Sequence, residues 1–306
     1  MKKVVLLAAL FTAFACTSEP ETEAPNPQEF VFKTSKILSD FDPPNQDIIH
    51  LQELGFSGSS GVVLEKTDHV FDETYITYLM EGDIEIRQDK LLPMVEEIRS
   101  KNTDRQYRTW NLVESLPRTL HIIAINMYNP SLQTGLTRAV QNYNQVHGLD
   151  LHFTLEFRNV QGIPAILAAI EDSDILAKQI GGPAGGSAGF PSGGDPYSEV
   201  NVSGATANFG LDVVEHVFTH EIAHAIGLRH TDYFDRSISC STGGNEGQAN
   251  IGAVHIPGTP STTNVDLESV FLSCFNGTET GEFSLFDQKA LQNLYCNIQC
   301  AATLGD

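Results

Sequence analysis

The run His220-Glu221-Ile222-Ala223-His224-Ala225-Ile226-Gly227-Leu228-Arg229-His230 constrains the fold more than any other part of this 306-residue chain. Residues four apart on an α-helix are neighbours on one face, so His220 and His224 direct their imidazoles at one point. A helix is expected here independently of the histidines. Val213, Val214, Val217, Phe218, Ile222, Ala225 and Ile226 form a broad apolar face, and Asp212 and Glu215 stand in the first turns, where the helix dipole favours negative charge. Gly227 is free to take the left-handed backbone that ends a helix, and the turn it permits returns His230 to the same point.

The short form H-E-x-x-H arises by chance in about one chain in a hundred of this length, the extended form in about one in a hundred thousand, so the extension carries the signal. Three imidazoles suit one zinc ion at Zn–N distances of about 2.0–2.1 Å and leave a fourth position open to water. An ion so held acidifies the water and polarises a carbonyl. Glu221, beside the ligands, takes the proton and passes it to a leaving amine, which is peptide hydrolysis without a covalent intermediate. His216 lies one turn before His220 but lacks the flanking Glu and the Gly extension. It reads as a core histidine satisfied by its own hydrogen bonds, or one supporting a ligand from behind. His50, His69, His121, His147, His152 and His255 show no ligand spacing.

At these residues the chain resembles the metzincin zinc peptidases and, more closely, the dual-action HEIGH metallopeptidases of bacterial secreted proteins. The resemblance rests on HEIAHAIGLRHTD at 220–232, GGSAGFPSGGDPYSEVNVS at 185–203, and SVFLSCFNG with EFSLFDQKALQNLY within 269–295, and covers roughly residues 108–306. It implies an α/β (α+β) catalytic domain with a twisted mixed sheet, a zinc-binding active-site helix and an irregular C-terminal subdomain, holding one Zn2+ ion and acting on a peptide or protein substrate. Metzincins place a methionine beneath the zinc, yet Met1, Met80, Met94 and Met127 all precede the motif. The matching segment is Ser269-Val270-Phe271, so Phe271 is expected as the apolar floor, a packing role that a ring can fill. Ser273 stands where some relatives carry a tyrosine, and no role is assigned to it.

Lys2-Lys3, the apolar run 4–14 and Ala15-Cys16 read as a secretory signal too short to span a membrane. Ala13-Phe14-Ala15-Cys16 resembles a bacterial lipobox, which makes Cys16 the expected lipid anchor and the only expected membrane contact. The Pro- and Glu-rich stretch that follows cannot fold, and resembles the tethers of surface lipoproteins. The expected location is extracytoplasmic: the bacterial outer membrane or cell surface, or otherwise secreted. There, Cys240, Cys274, Cys296 and Cys300 allow three disulfide connectivities. Cys240–Cys274 with Cys296–Cys300 is favoured, since paired C-x-x-C spacing for a second zinc is missing. A formal charge of −21 argues against nucleic acid as a partner. A monomer is expected.

The chain divides into a signal (1–15), a lipidated Cys and acidic tether (16–28), a small N-terminal pro-like segment (29–107) and the catalytic domain (108–306). The pro-like segment has a strand-like stretch over 75–86 and a helix near 91–100. The catalytic domain has strands at 119–127, 151–158 and 199–203 and helices at 131–146, 166–170 and 285–297. The glycine-rich run 181–194 reads as a loop, and 199–203 as the sheet edge to which an extended peptide adds. Asp287 and Tyr295 on the last helix read as packing.

Met80-Glu81-Gly82-Asp83-Ile84 resembles the F-x-G-D segment of astacin-type propeptides, which implies that Asp83 sets its carboxylate on the zinc, with cleavage among Arg99, Lys101, Arg105 and Arg108 releasing the enzyme. An ordinary turn is the other reading. With no cysteine between Cys16 and Cys240, a cysteine latch is excluded. The expected function is a zinc-dependent endopeptidase, made as a zymogen, that cleaves extracellular or surface proteins. The rivals are a surface binding lipoprotein on a catalytically weak scaffold and a zinc hydrolase of a non-peptide bond.

Overall fold

The computed structural model describes residues 32–37, 46–54, 56, 61–68, 73–99, 107–247, 252–260 and 265–296. The expected signal, Cys16, the tether, Lys101, Arg105 and Cys300 lie outside them. Among the described residues no helix is long and apolar enough to cross a membrane.

The N-terminal part is an antiparallel meander of β1 (Phe32–Ile37), β2 (Val62–Asp68), β3 (Glu73–Met80) and β4 (Ile84–Arg87), with α1 (Gln46–Leu54) and α2 (Gln88–Arg99) packed on it. The strand-like stretch 75–86 is two strands joined by a turn. Glu81 (φ 57°) and Gly82 (φ 102°) turn the chain back, and the Asp83 amide donates to the Met80 carbonyl at 3.2 Å. Leu51, Met80, Ile84, Ile86 and Leu91 give this part a core of its own, which Phe190 from the catalytic half joins.

The catalytic half follows as β5 (Arg118–Ile125), α3 (Pro130–Gln145), β6 (Leu151–Arg158), α4 (Ile163–Asp172), β7 (Ile175–Ile180), β8 (Gly186–Ala188), β9 (Glu199–Ser203), α5 (Leu211–Ala225), α6 (Ser237–Cys240) and α7 (Leu285–Tyr295). One mixed sheet of nine strands, ordered β1-β2-β3-β4-β8-β9-β7-β5-β6, runs through both halves. β5 shows why its sequence is nearly all apolar. Leu120, Ile122 and Ala124 face the main core under α3 and α5, while Ile123 and Ile125 pack with Ala169 of α4 on the other face.

Two expectations are corrected. The run 181–194 is not wholly a loop, since Gly186–Ala188 forms β8 antiparallel to β9. In consequence 199–203 is not an edge: β9 lies between β7 and β8, and β8 in turn pairs in parallel with β4 of the N-terminal part. The strand character of β8 was hidden because glycine and alanine carry no β-forming pattern.

Helices α3 and α5 approach closely. A Cβ on Gly135 would stand 2.4 Å from Val214 Cγ1, so only glycine fits there. The Tyr143 hydroxyl donates to the Thr219 carbonyl at 2.7 Å, and Asn142 Nδ2 donates to Glu215 Oε1 at 2.9 Å. Past α5 the chain is mostly irregular, and two devices hold it. Cys240 and Cys274 form a disulfide across 34 residues, worth about 3–4 kcal/mol by loop entropy. The Ser284/Asp287 capping box starts α7, and Asp287 also accepts from Ser269 Oγ (2.6 Å) and the Val270 amide (2.9 Å), pinning 269–271 beneath α5. Asp287 and Tyr295 are thus structural, as expected; the Tyr295 hydroxyl donates to the Ile226 carbonyl.

Candidate metal centre and active site

Helix α5 is buried at every position from Val213 to Ala225, which sets its histidines on a rigid element. It ends in two bonds, Gly227 N–H to the His224 carbonyl and Leu228 N–H to the Ala223 carbonyl, each 2.9 Å. This is the Schellman arrangement, and Gly227 at φ 104° makes it possible. The turn carries His230 back to His220 and His224.

The three rings converge through one kind of atom. His224 Nε2 and His220 Nε2 lie 3.2 and 3.3 Å from His230 Nε2. Ligands at about 2.0–2.1 Å in tetrahedral array are separated by about 3.3–3.4 Å, so the spacing matches one ion. The opposite nitrogens settle the tautomers. His220 Nδ1 donates to the Val270 carbonyl (2.8 Å) and His224 Nδ1 to the Leu228 carbonyl (2.9 Å), and a carbonyl only accepts. Those Nδ1 atoms carry the hydrogens, and the Nε2 lone pairs are left facing the common point. Burial, with the neighbouring imidazoles of His220 and His230, holds His224 well below its ordinary pKa, in the neutral form a ligand needs.

Two carboxylates complete the centre. Glu221 is 2% exposed and its Oε2 has no hydrogen-bond partner. Burial and the negative charges of Asp83 and Glu85 raise its carboxyl well above the ordinary range, against the pull of His230. Asp83 Oδ2 stands 3.0 Å from His230 Nε2 and 3.7 Å from His220 Nε2. A ligand atom from each of Asp83, His220, His224 and His230 lies within 4.8 Å of every other. Despite burial, His230 and its neighbours hold Asp83 well below the usual carboxylate range. The turn 81–83 is fastened on both sides: the Asp83 carbonyl accepts from the Ala188 amide (3.0 Å), and Glu81 takes a two-point bond from Arg229 Nη2 at 2.9 and 3.0 Å. An unpartnered Glu221 oxygen, an unpartnered Asp83 Oδ1 and three converging Nε2 atoms together fit a divalent cation with nitrogen preference.

Several residues at the centre had no signal in the sequence. Glu246 Oε1 accepts from His230 Nδ1 at 2.7 Å; despite burial, His230 and Arg229 hold its pKa at about 2. Ser273, left without a role, places Oγ 2.8 Å from Asp232 Oδ1 and 3.0 Å from Glu246 Oε1, so it steadies the acceptor behind His230. Phe271 is buried in the main core, and its carbonyl accepts from the Thr231 amide at 2.8 Å. The segment 269–271 therefore touches the site through main-chain groups, which tolerate the change of side chain. His216 is buried and stands outside the ligand group, as expected, stacked on His220 at 6.2 Å between ring centroids; the hydrogen bonds expected of it are not seen among the described residues. Of the cysteines, Cys240 and Cys274 are joined, and Cys16 and Cys300 lie outside the described residues.

A family model described as dual-action HEIGH metallo-peptidase matches residues 78–295, a span that begins within β3 and takes in the Glu81–Asp83 turn as well as the histidines. No curated protein matches the sequence. Among solved structures the chain is similar to myroilysin, at 13% identity, covering 60% of this chain and 95% of that one, with a TM-score of 0.36. It is also similar to high choriolytic enzyme 1, a hatching enzyme zinc-protease from Oryzias latipes (medaka fish), at 14% identity, covering 58% of this chain and 90% of that one, with a TM-score of 0.34.

Proposed function

Since the chain belongs to the dual-action HEIGH metallo-peptidases, we propose that it is a zinc-dependent endopeptidase in which His220, His224 and His230 hold the ion, Glu221 is the general base, and Asp83 keeps the full chain latent. The observation that carries this reading is the convergence of three Nε2 atoms beside a buried, unpartnered Glu221 oxygen. When bound, zinc supplies a Lewis acid that acidifies water and polarises the scissile carbonyl. Glu221 accepts the proton of the attacking water at Oε2 and delivers it to the departing amine nitrogen. Val270, Leu228 and Glu246 fix the three rings so that this geometry is preset. A scaffold kept only for binding has no use for an unpartnered buried carboxylate, and the family favours a peptide bond. Metal analysis with digestion of a mixed peptide library tests the reading; a protein free of zinc after zinc loading, or one that cleaves no peptide, refutes it.

Latency rests on the place of Asp83. Its carboxylate faces the same three Nε2 atoms, where an anion competes with water and with a substrate carbonyl. β4 pairs with β8, so the N-terminal part also covers the main-chain groups to which an extended peptide adds. Arg108 exchanges main-chain bonds with Val254 at 2.8 and 3.1 Å, placing it inside the catalytic fold and leaving Arg99, Lys101 and Arg105 as release sites. The full chain with Asp83→Ala is expected to cleave peptides at least about tenfold faster than the unaltered chain. Equal rates, with zinc content unchanged, would make 81–83 an ordinary turn.

The same reading extends to location. Lys2-Lys3, the apolar run and Cys16 argue for export and lipid anchoring, and a disulfide suits an oxidising compartment. Cys16→Ala is expected to move the protein from the membrane fraction to the soluble extracytoplasmic fraction. Unchanged membrane association would refute the anchor.

A further inference from the structure

Beside the catalytic centre lie two cavities that share His216, Leu272 and Cys274 in their walls. The first, about 240 Å³, contains His220, Glu221 and Asp83. The second, about 580 Å³, is larger and lies on the far side of His216, between α5 and the chain from 267 to 284. No described residue of the N-terminal part lines it.

Its chemistry is one-sided. Glu268, Glu279 and Glu282 line it, with no lysine or arginine among the described residues of the wall. Glu279 is held in place by the amides of Asn276 and Gly277, which donate to its two oxygens at 2.6 and 2.8 Å. Ile238, Val270 and Phe283 supply apolar wall between the carboxylates. His216, only 5% exposed, lines both cavities and has no hydrogen-bond partner among the described residues. A ring buried to that degree, with no hydrogen-bond partner among the described residues and a wall position in both cavities, is free to pair with a ligand at their junction.

We infer that this second cavity is a specificity pocket for a basic side chain, arginine or lysine, of the bound polypeptide near the scissile bond. A long aliphatic stem covers the apolar wall while its cationic tip reaches the carboxylates, a division of labour that neither an acidic nor a short apolar side chain achieves. Arginine is favoured over lysine, because a guanidinium has enough donors to meet a carboxylate and His216 together. The chain carries 39 acidic residues against 18 lysines and arginines, and that excess steers basic polypeptides toward it in the same sense.

The inference rests on the peptidase reading, and the test separates the two. The zinc-loaded full chain with Asp83→Ala is given matched peptides carrying arginine, lysine, norleucine or glutamate at each position flanking the bond. At one position arginine or lysine is expected to exceed norleucine about tenfold in kcat/KM, and Glu279→Gln with Glu282→Gln to lower that ratio about tenfold. Glu282→Lys, which leaves the Glu279 turn untouched, is expected to move the preference toward glutamate. In parallel, fluorescence anisotropy of the labelled arginine and norleucine peptides on the chain with Asp83→Ala and Glu221→Gln reads binding without turnover. Cleavage with no basic preference, or with a preference that these substitutions do not move, overturns the pocket and leaves the peptidase standing. If no peptide is cleaved, the peptidase reading falls, and equal binding of the two labelled peptides then removes the pocket as well.

Discussion

Glu221→Gln is expected to leave the zinc content of the protein unchanged and to lower peptide cleavage by about two to four orders of magnitude. The amide occupies the space of the carboxylate, which is closely enclosed on its strand side: a Cβ placed on Gly186 of β8 would meet Glu221 Oε1 at 2.7 Å. Shape is kept, and the ability to accept a proton from water is lost. The ligands are untouched, because their Nδ1 partners are Val270, Leu228 and Glu246 rather than Glu221. The rates are best compared in the Asp83→Ala background, where both chains lack the proposed latch. Cleavage by the Gln variant at the unaltered rate would move the base to another residue and refute the role given to Glu221.

His224→Ala is expected to abolish tight zinc binding. Two nitrogens remain where three converged, which is too few for a tight zinc site. Glu246→Gln provides a graded companion. It keeps a hydrogen-bond acceptor for His230 Nδ1 but removes the charge, and zinc affinity is expected to weaken by about ten- to a hundredfold. Competition against a chelator of known affinity measures both. Full zinc occupancy of the His224→Ala protein would break the assignment and direct attention to Asp83 as a working ligand. Full affinity in Glu246→Gln would show that ring orientation at His230 is secured by packing alone.

The reach of the sequence can be traced residue by residue. The α5 histidines, Glu221 beside them and the Gly227 turn were legible because each is a local matter. Spacing of four puts two side chains on one helix face, and glycine alone adopts the backbone of the turn without strain. β6 and β9 were legible from their alternating or β-branched residues, while β8 was not, since Gly186-Ser187-Ala188 carries no such pattern. Cysteine placement after the motif, with the expectation of an oxidising compartment, was enough to favour the Cys240–Cys274 pair.

The tertiary structure decided whatever depends on residues far apart in the chain. Asp83 lies 147 positions from His230, and a four-residue resemblance left its place open between a latch and a turn; the pairing of β4 with β8 and the Glu81–Arg229 bond bring it to the histidines. Val270 reaches His220 across 50 positions only because Asp287, at the start of α7, holds its amide. Glu246 and Ser273 stand in irregular chain, where no periodicity marks a side chain as inward-facing, and their roles follow from the disulfide-bound packing around His230. His216 shows the limit most plainly, because its helical position is local and was readable, whereas the want of a hydrogen-bond partner for its ring among the described residues is a property of the cavities on either side. Helix geometry is written at separations of three and four residues; what surrounds a helix is settled only when the whole chain has packed against it.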